Sequence, residues 1–387
     1  MEQKKKFFYI TGVFVLFYFF PFDSAIIKNA VMEALYMTRD YAREHVLLCL
    51  IPAFLIAGAI SVFIKSDSVL KYLGAKANKF VSYAVASVSG SVLAVCSCTV
   101  LPLFAGIYKR GAGIGPASAF LYAGPAINIL AIILTARVLG IEMGAARVIG
   151  AVFFAVIIGL IMQFVFRKEE QERVDGIMAQ SSDAAGGKPG WKLISYFFVM
   201  IAVLVFLNWG KDESMPLWNA VFEAKWIISG VLTAVLAYMV FAWFNKEERK
   251  EWRSESLGFA LQIMPLLFIG VLAAGFLLGR PGHPALIPQQ WIASLVGGNS
   301  LQANLFASAA GALMYFATLT EIPILQGLMG AGMGKGPALA LLLAGPALSI
   351  PNMMVIHSIM GKKKTLVYIV LVVIMATISG MIYGSLF

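Results

Sequence analysis

The sequence predicts an all-α polytopic membrane protein made of two inverted structural repeats, each with broken, re-entrant Gly-Pro helices, and about 9 to 11 hydrophobic segments in all. Three observations predict it. The 387 residues are 60% hydrophobic and only 13% charged, too little polar surface to coat a water-soluble globule. Long apolar runs recur along the chain. Two further regions, apolar but punctuated by Gly and Pro, repeat one another.

Runs long enough to cross a hydrocarbon layer of ~30 Å at ~1.5 Å per residue lie at 45–64, 145–166, 191–209, 226–244, 257–279 and 365–386. The N-terminal "MEQKKKFFYITGVFVLFYFFPF" has the basic and apolar regions of a secretory signal but no small-residue cleavage site before Pro21 and Asp23, so it reads as a retained first helix. Residues 24–43 and 68–79 are amphipathic and read as interfacial. "RKEEQERVDGIMAQSSDAAGGKPG" at 167–190 is linker-like and divides the chain near its middle. The expected organisation is an N-terminal helix and interfacial segment (1–44), a first transmembrane repeat (45–166), a cytoplasmic linker with two connecting helices (167–256) and a second, inverted repeat (257–387).

The regions 81–138 and 301–360 carry the duplication. An offset of 221 aligns "TVLPLFAGIYKRGAGIGPASAFLYAGPA" (99–126) with "TEIPILQGLMGAGMGKGPALALLLAGPA" (320–347) without a gap, and 14 of the 28 positions are identical. Chance can match Leu and Ala between apolar segments, but not Pro102/Pro323, Gly106/Gly327, Gly115-Pro116/Gly336-Pro337 and Gly124-Pro125/Gly345-Pro346 in register. Upstream, "CLIPAFLIAGAISVF" (49–63) matches "QIMPLLFIGVLAAGF" (262–276) at an offset of 213.

The net charge of +10 sits mostly in short segments between apolar runs, which suits membrane orientation and predicts no nucleic-acid partner. If each broken core makes one net crossing, Lys4–Lys6, the lysines between Lys65 and Lys79, the loops 167–192 and 246–253, and Lys362–Lys364 share one side, with 19 of the 30 Lys and Arg residues. Lys28, Arg39, Arg43, Arg147, Lys211, Lys225 and Arg280 take the other. The basic side is cytoplasmic, giving a multi-pass protein of the cell membrane with a cytoplasmic N-terminus, an external C-terminus and repeats of opposite orientation. Such breaks mark the mid-membrane cavity of a secondary transporter, since irregular backbone in a bilayer is tolerated only where it is buried or lines a polar space. Gly-Pro kinks that merely pack helices closely are the plainer alternative.

Within the cores, Cys96 and Cys98 precede Pro102. On an α-helix these cysteines point about 200° apart, whereas an extended stretch turns both thiols the same way; Pro102 cannot donate to the carbonyl of Cys98 and biases the backbone toward unwinding. A two-thiol site favours soft species such as trivalent arsenic, Cu(I) or Zn(II), against the alternative that the cysteines pack as small apolar residues. Glu321 replaces Val100 of the first copy, deep in the second core, where an ionisable residue is functional by default. It is expected to exchange a proton for cargo, the alternative being a structural carboxylate paired with Lys335 or capping a half-helix. Around it stand Thr318, Thr320, Ser349 and Asn352, facing Ser97, Thr99 and Asn128 of the first copy, a weakly polar set. His357 reads as a packing residue or a proton relay.

"CSCTVLPLFAGIYKRGAGIGPASAFLYAGPAIN" resembles the signature of a predicted permease family, formerly domain of unknown function 318, that includes the ArsP-type organoarsenical efflux permeases; the resemblance runs from about residue 40 to the end of the chain. It implies a cell-membrane exporter of trivalent organoarsenicals such as methylarsenite, driven by the proton gradient, with motif residues Cys96, Cys98, Pro102, Gly124, Pro125 and Asn128 and, in the second copy, Gly345 and Pro346. Thr99 departs from the Gly of many relatives. Some members of the family are tied to copper or zinc export, which is the alternative cargo here. Monomethylated trivalent arsenic has two exchangeable ligands, which a Cys-x-Cys pair matches. No cofactor is expected, and the partners are a small-molecule substrate and the bilayer, with a homo-oligomer compatible. An enzyme using Cys96 as nucleophile lacks a histidine in the same core, and no G-x-x-x-x-G-K-[ST] loop is present for an ATP-driven pump.

Overall fold

Interrupted helices rather than plain spans fill the middle of the protein. The computed structural model describes residues 24–64, 77–93, 97–180, 190–211, 216–280, 295–314, 321–330 and 332–387, with isolated positions elsewhere. The expected N-terminal helix within 1–22 and most of the interfacial stretch 68–79 lie outside the described residues. The described residues form helices α1 (Ala25–Tyr41), running into a wider π-helical turn at Ala42–Leu50, α2 (Ile51–Phe63), α3 (Lys79–Leu93), α4 (Ser97–Lys109), α5 (Ile114–Ala126), α6 (Ile129–Val138) and α7 (Ile141–Val165). They continue as α8 (Arg167–Gln180), α9 (Gly190–Leu207), α10 (Pro216–Trp243), α11 (Lys246–Leu278), α12 (Leu301–Leu313), α13 (Glu321–Gly330), α14 (Lys335–Ala344) and α15 (Ile350–Leu386).

Five stretches are long and apolar enough to cross a membrane: Val46–Phe63, α7, Trp218–Trp243, α11 and α15, with α5 and α6 making a sixth if their 47° bend is counted within one span. Five or six is fewer than the expected segment number because α3, α4 and α12 to α14 are half-length pieces of 10 to 15 residues. Apolar side chains such as Phe164, Phe198, Ile227 and Phe241 are largely exposed, which fits helices facing lipid rather than water. The linker-like segment from 167 is corrected over its first part: α8 forms there, with Glu169 and Glu170 in its first turn complementing the helix dipole and an Arg173–Glu170 pair at 2.9 Å one turn along.

The offset of 221 is visible in the backbone. α3, α4, α5, α6 and α7 recur as α12, α13, α14 and the two arms of α15. Gly111 and Gly332, at the hairpin tips, have φ of 99° and 104°; Gly140 and Gly361, before the closing helices, have 103° and 79°. Only glycine adopts this region without strain, so the same chain reversal is written twice. A close helix approach also recurs. A Cβ built on Gly159 of α7 would stand 2.6 Å from the carbonyl oxygen of Gly115, and one on Gly380 of α15 would stand 2.6 Å from that of Gly336.

Polar contacts mark two ends. The α4–α5 tip is held by Arg173, which donates to the carbonyls of Tyr108 (2.7 Å) and Ala112 (2.6 Å), and by the Lys109–Glu255 ion pair near the start of α11. Glu170 accepts from Tyr108 Oη at 2.7 Å and from Lys364 of α15 at 2.6 Å. The α13–α14 tip instead lies beside the 296–298 turn, where Gly334 N donates to the Val296 carbonyl at 3.1 Å. Asn299, next to that turn, donates to the Met381 carbonyl of α15 at 3.2 Å. Lys364 and Met381 are 17 positions apart on one helix, roughly 25 Å at 1.5 Å per residue. Helix starts are fixed by side chains: Asn245 and Glu248 form a reciprocal capping box on α11, Ser300 caps α12, and Ser349 caps α15.

Gly380→Ala is expected to lower thermal stability by about 1–3 kcal/mol, because its methyl group meets backbone that cannot yield, whereas Gly230→Ala on α10, with nothing within 4 Å of its Cβ position, is expected to be neutral or slightly stabilising. Melting curves of the two purified variants check this.

Candidate functional site

The first break falls between α5 and α6. Gly124 and Pro125 occupy the last turn of α5, fully inside the protein, and Asn128 follows, also buried. Val100 of α4 stands against Gly124, with its Cγ2 3.1 Å from where a Cβ would be. The second break runs from Gly345 to Ser349: Gly345 caps the end of α14, Pro346 follows it in a buried turn, and Ser349 Oγ accepts from Asn352 N at 3.3 Å. Ser97 and Thr99 are buried in the first turn of α4. Cys96, Thr318 and Thr320 lie outside the described residues, as does the side chain of Cys98.

The backbone at Cys98 is helical, which corrects the extended stretch expected there. Pro102 sits inside α4 without ending it; its missing N–H leaves the Cys98 carbonyl without its usual intrahelical donor while the helix runs on through both residues.

Glu321 opens α13, where the helix dipole favours a carboxylate, and it is 1% exposed. Its partner is not Lys335, which is exposed at the start of α14, but Arg147 of α7, whose Nη2 donates to Glu321 Oε1 at 2.6 Å. Arg147 is itself wholly buried. Its Nε donates to the Ala126 carbonyl at 2.8 Å and its Nη1 to Thr135 Oγ1 at 3.0 Å, while Thr135 Oγ1 donates back to the Ala131 carbonyl at 2.6 Å. One guanidinium thus binds a carbonyl at the first break, a hydroxyl on α6 and the carboxylate that begins α13 in the other half.

Charge counting grouped Arg147 with the loops of the external side; the structure shows it wholly buried inside a helix. The signal was available, since Arg147 is a cation inside the apolar run 145–166 and Glu321 an anion inside the second core, and two such charges in hydrocarbon need each other. The other predicted residues divide. His357 is exposed on α15, which corrects its reading as a core packing residue. Asn352 is buried, and its Oδ1 has no hydrogen-bond partner among the described residues. Among the described residues no group of three or more His, Cys, Asp or Glu is placed to hold a metal ion.

A family model described as a predicted permease, ArsP_1, matches residues 31–385. The chain belongs to that permease family. The permease is 45% identical over 364 residues to UPF0718 protein MJ0584 of Methanocaldococcus jannaschii, covering 93% of this chain and 97% of the relative. It is 23% identical over 353 residues to UPF0718 protein YraQ of Escherichia coli, covering 90% and 80%. No solved structure matches it. Membership, together with five or six apolar spans, makes the chain a multi-pass membrane protein of a transport rather than an enzymatic family.

Outside the spans, burial alone would push the Glu170 carboxyl up, but the Arg173 charge and hydrogen bonds from Arg173, Lys364 and Tyr108 outweigh it and hold the group below its ordinary value of 4.5. A depressed carboxylate contributes stability above its unfolded value and loses it as pH falls through the folded one. The melting temperature is therefore expected to drop below about pH 4.5 in the wild type, and Glu170→Gln to start lower and fall less steeply. Arg147→Met alone leaves Glu321 as a buried unpaired carboxylate and is expected to cost about 3–5 kcal/mol, read as loss of folded protein in fluorescence-detected size exclusion.

Proposed function

We propose that this permease exports an uncomplicated small cargo of soft, thiophilic character, trivalent organoarsenicals of the methylarsenite type, by proton-coupled alternating access at a mid-membrane site. The single observation that carries the coupling is the Arg147–Glu321 pair, buried on both sides and joining the first break to the second core. A carboxylate so placed exchanges between two partners. Paired with Arg147 it is ionised and ties the halves together; protonated, it releases the arginine and lets them separate. In this proposal the repeats 45–166 and 257–387 are the moving units and 167–256 joins them.

Inverted orientation is supported by the two hairpin tips, one tied through Glu170 to Lys364 and the other lying beside Asn299, which bonds to Met381 at the far end of the same helix. The basic groups gathered at the first tip favour that end as cytoplasmic, which gives a cytoplasmic N-terminus and an external C-terminus. Substrate contacts are proposed at Cys96, Ser97, Cys98, Thr99 and Pro102 on the first re-entrant arm, at Gly124, Pro125 and Asn128 in the first break, and at Thr320, Gly345, Pro346, Ser349 and Asn352 in the second core. The thiols are assigned from their spacing and from the family resemblance.

Everted vesicles test this. Methylarsenite uptake is expected to rise with an imposed pH gradient in the wild type, to fall at least tenfold in Cys96→Ser/Cys98→Ser, and to lose its response to the gradient in Glu321→Gln. Undiminished uptake by the double cysteine variant removes the thiol site, and gradient-driven uptake by Glu321→Gln removes the proton role. Uptake of Cu(I) or Zn(II) in place of methylarsenite would transfer the mechanism to a metal cargo.

A further inference from the structure

The two repeats differ most where Arg147 and Glu321 stand, and the difference points to what the cargo carries. At the offset of 221, Arg147 corresponds to Tyr368 and Glu321 to Val100. The groups Arg147 binds, Ala126, Thr135 and Glu321, correspond to Ala347, Ile356 and Val100, none of which offers a side-chain acceptor. Tyr368 is 0% exposed, and its hydroxyl has no hydrogen-bond partner among the described residues. Tyr122 on α5, also 0% exposed, is in the same state, and the two hydroxyls lie within electrostatic range of each other. Tyr122 lies in the turn of α5 just before the Gly124-Pro125 break.

A buried hydroxyl with no partner costs about 1–3 kcal/mol, and such groups are rare enough in folded proteins that two within electrostatic range of each other call for a reason. Phenylalanine would pack as well without the penalty. Among the described residues, the buried charges Arg147 and Glu321 neutralise each other. A charged cargo here would stay uncompensated in a dry site, whereas a neutral molecule bearing oxygen would find two donors.

We propose that Tyr368 and Tyr122 are specificity-determining residues that donate hydrogen bonds to the oxygens of an uncharged, hydroxyl-bearing cargo, and that the site selects such a molecule over a bare metal cation. The proposal rests on the reading of the protein as a permease for thiophilic cargo and deepens it: the tyrosines, one from each half, receive the cargo with its As–OH groups intact, and each thiol that then binds arsenic releases one of those groups as water.

The test uses the purified full-length protein in nanodiscs, with tryptophan quenching to follow binding of methylarsenite, which carries As–OH groups, and of Cu(I), which carries none. Tyr196→Phe is the control, since Tyr196 on α9 is equally buried and its hydroxyl equally unpartnered, but it packs among Phe63, Phe244 and Trp252 away from the breaks. Tyr368→Phe and Tyr122→Phe are each expected to weaken methylarsenite binding roughly fivefold to tenfold, to leave Cu(I) binding unchanged, and to melt at the wild-type temperature or above. Tyr196→Phe is expected to bind as the wild type does. Wild-type affinity for methylarsenite in both site variants, an equal loss for Cu(I), or unfolding of either variant, which would reveal a partner within the protein, overturns the inference. A wild-type protein that binds no methylarsenite overturns the cargo reading itself, so the two failures are distinct.

Discussion

Everything at the centre of this protein depends on one guanidinium. The Gly-Pro break at the end of α5 frees backbone carbonyls in a region where no bulk water can bond to them, and each unbonded group there costs several kcal/mol. Arg147 satisfies the Ala126 carbonyl, but a buried cation needs an anion, and Glu321 supplies it from the other half of the chain. A break in one repeat thereby requires a charge in the other. Neither half is electrostatically complete alone.

Around that joint the contacts are of two kinds. In the core, glycines let backbones touch, at Gly115 with Gly159 and at Gly336 with Gly380, which gives rigid units through close van der Waals packing. At the two ends, charged groups tie neighbouring elements: Tyr108, Glu170, Arg173 and Lys364 at one end, and Arg280 with Glu33 (2.8 Å) and Asp40 (3.0 Å) just beyond α11. The Arg280 pairs are partly exposed and individually weak, whereas Glu170 is almost fully buried between Arg173 and Lys364.

Much of this was legible in the sequence. The duplication and the place of both breaks follow from Gly and Pro recurring in register, because those residues impose backbone geometry directly, and the spans follow from the long apolar runs. The helix at 167–180 was missed, since its polar composition resembles a linker and its stability comes from Arg173 and Lys364 contacts far along the chain. Pro102 misled in the opposite sense: it lies inside a helix that continues through it, and spacing alone does not tell a tolerated proline from one that breaks the helix. Arg147 was assigned by counting charge on loops, a rule that has no place for a cation inside a span. Tyr368 and Tyr122 carried no signal, because a tyrosine in an apolar run is ordinary until its hydroxyl is seen to lack a partner.

The central claim is that the buried pair is kept for coupling rather than for stability. Replacing both partners by apolar residues of similar volume removes two desolvated charges at once and commonly leaves stability unchanged or raised. The most direct test is therefore gradient-driven transport by the doubly substituted Arg147→Met/Glu321→Met protein, measured beside its melting temperature. The account predicts a folded protein, melting within a few degrees of the wild type, in which the pH gradient no longer drives cargo. A double variant that still transports in proportion to the gradient would contradict it.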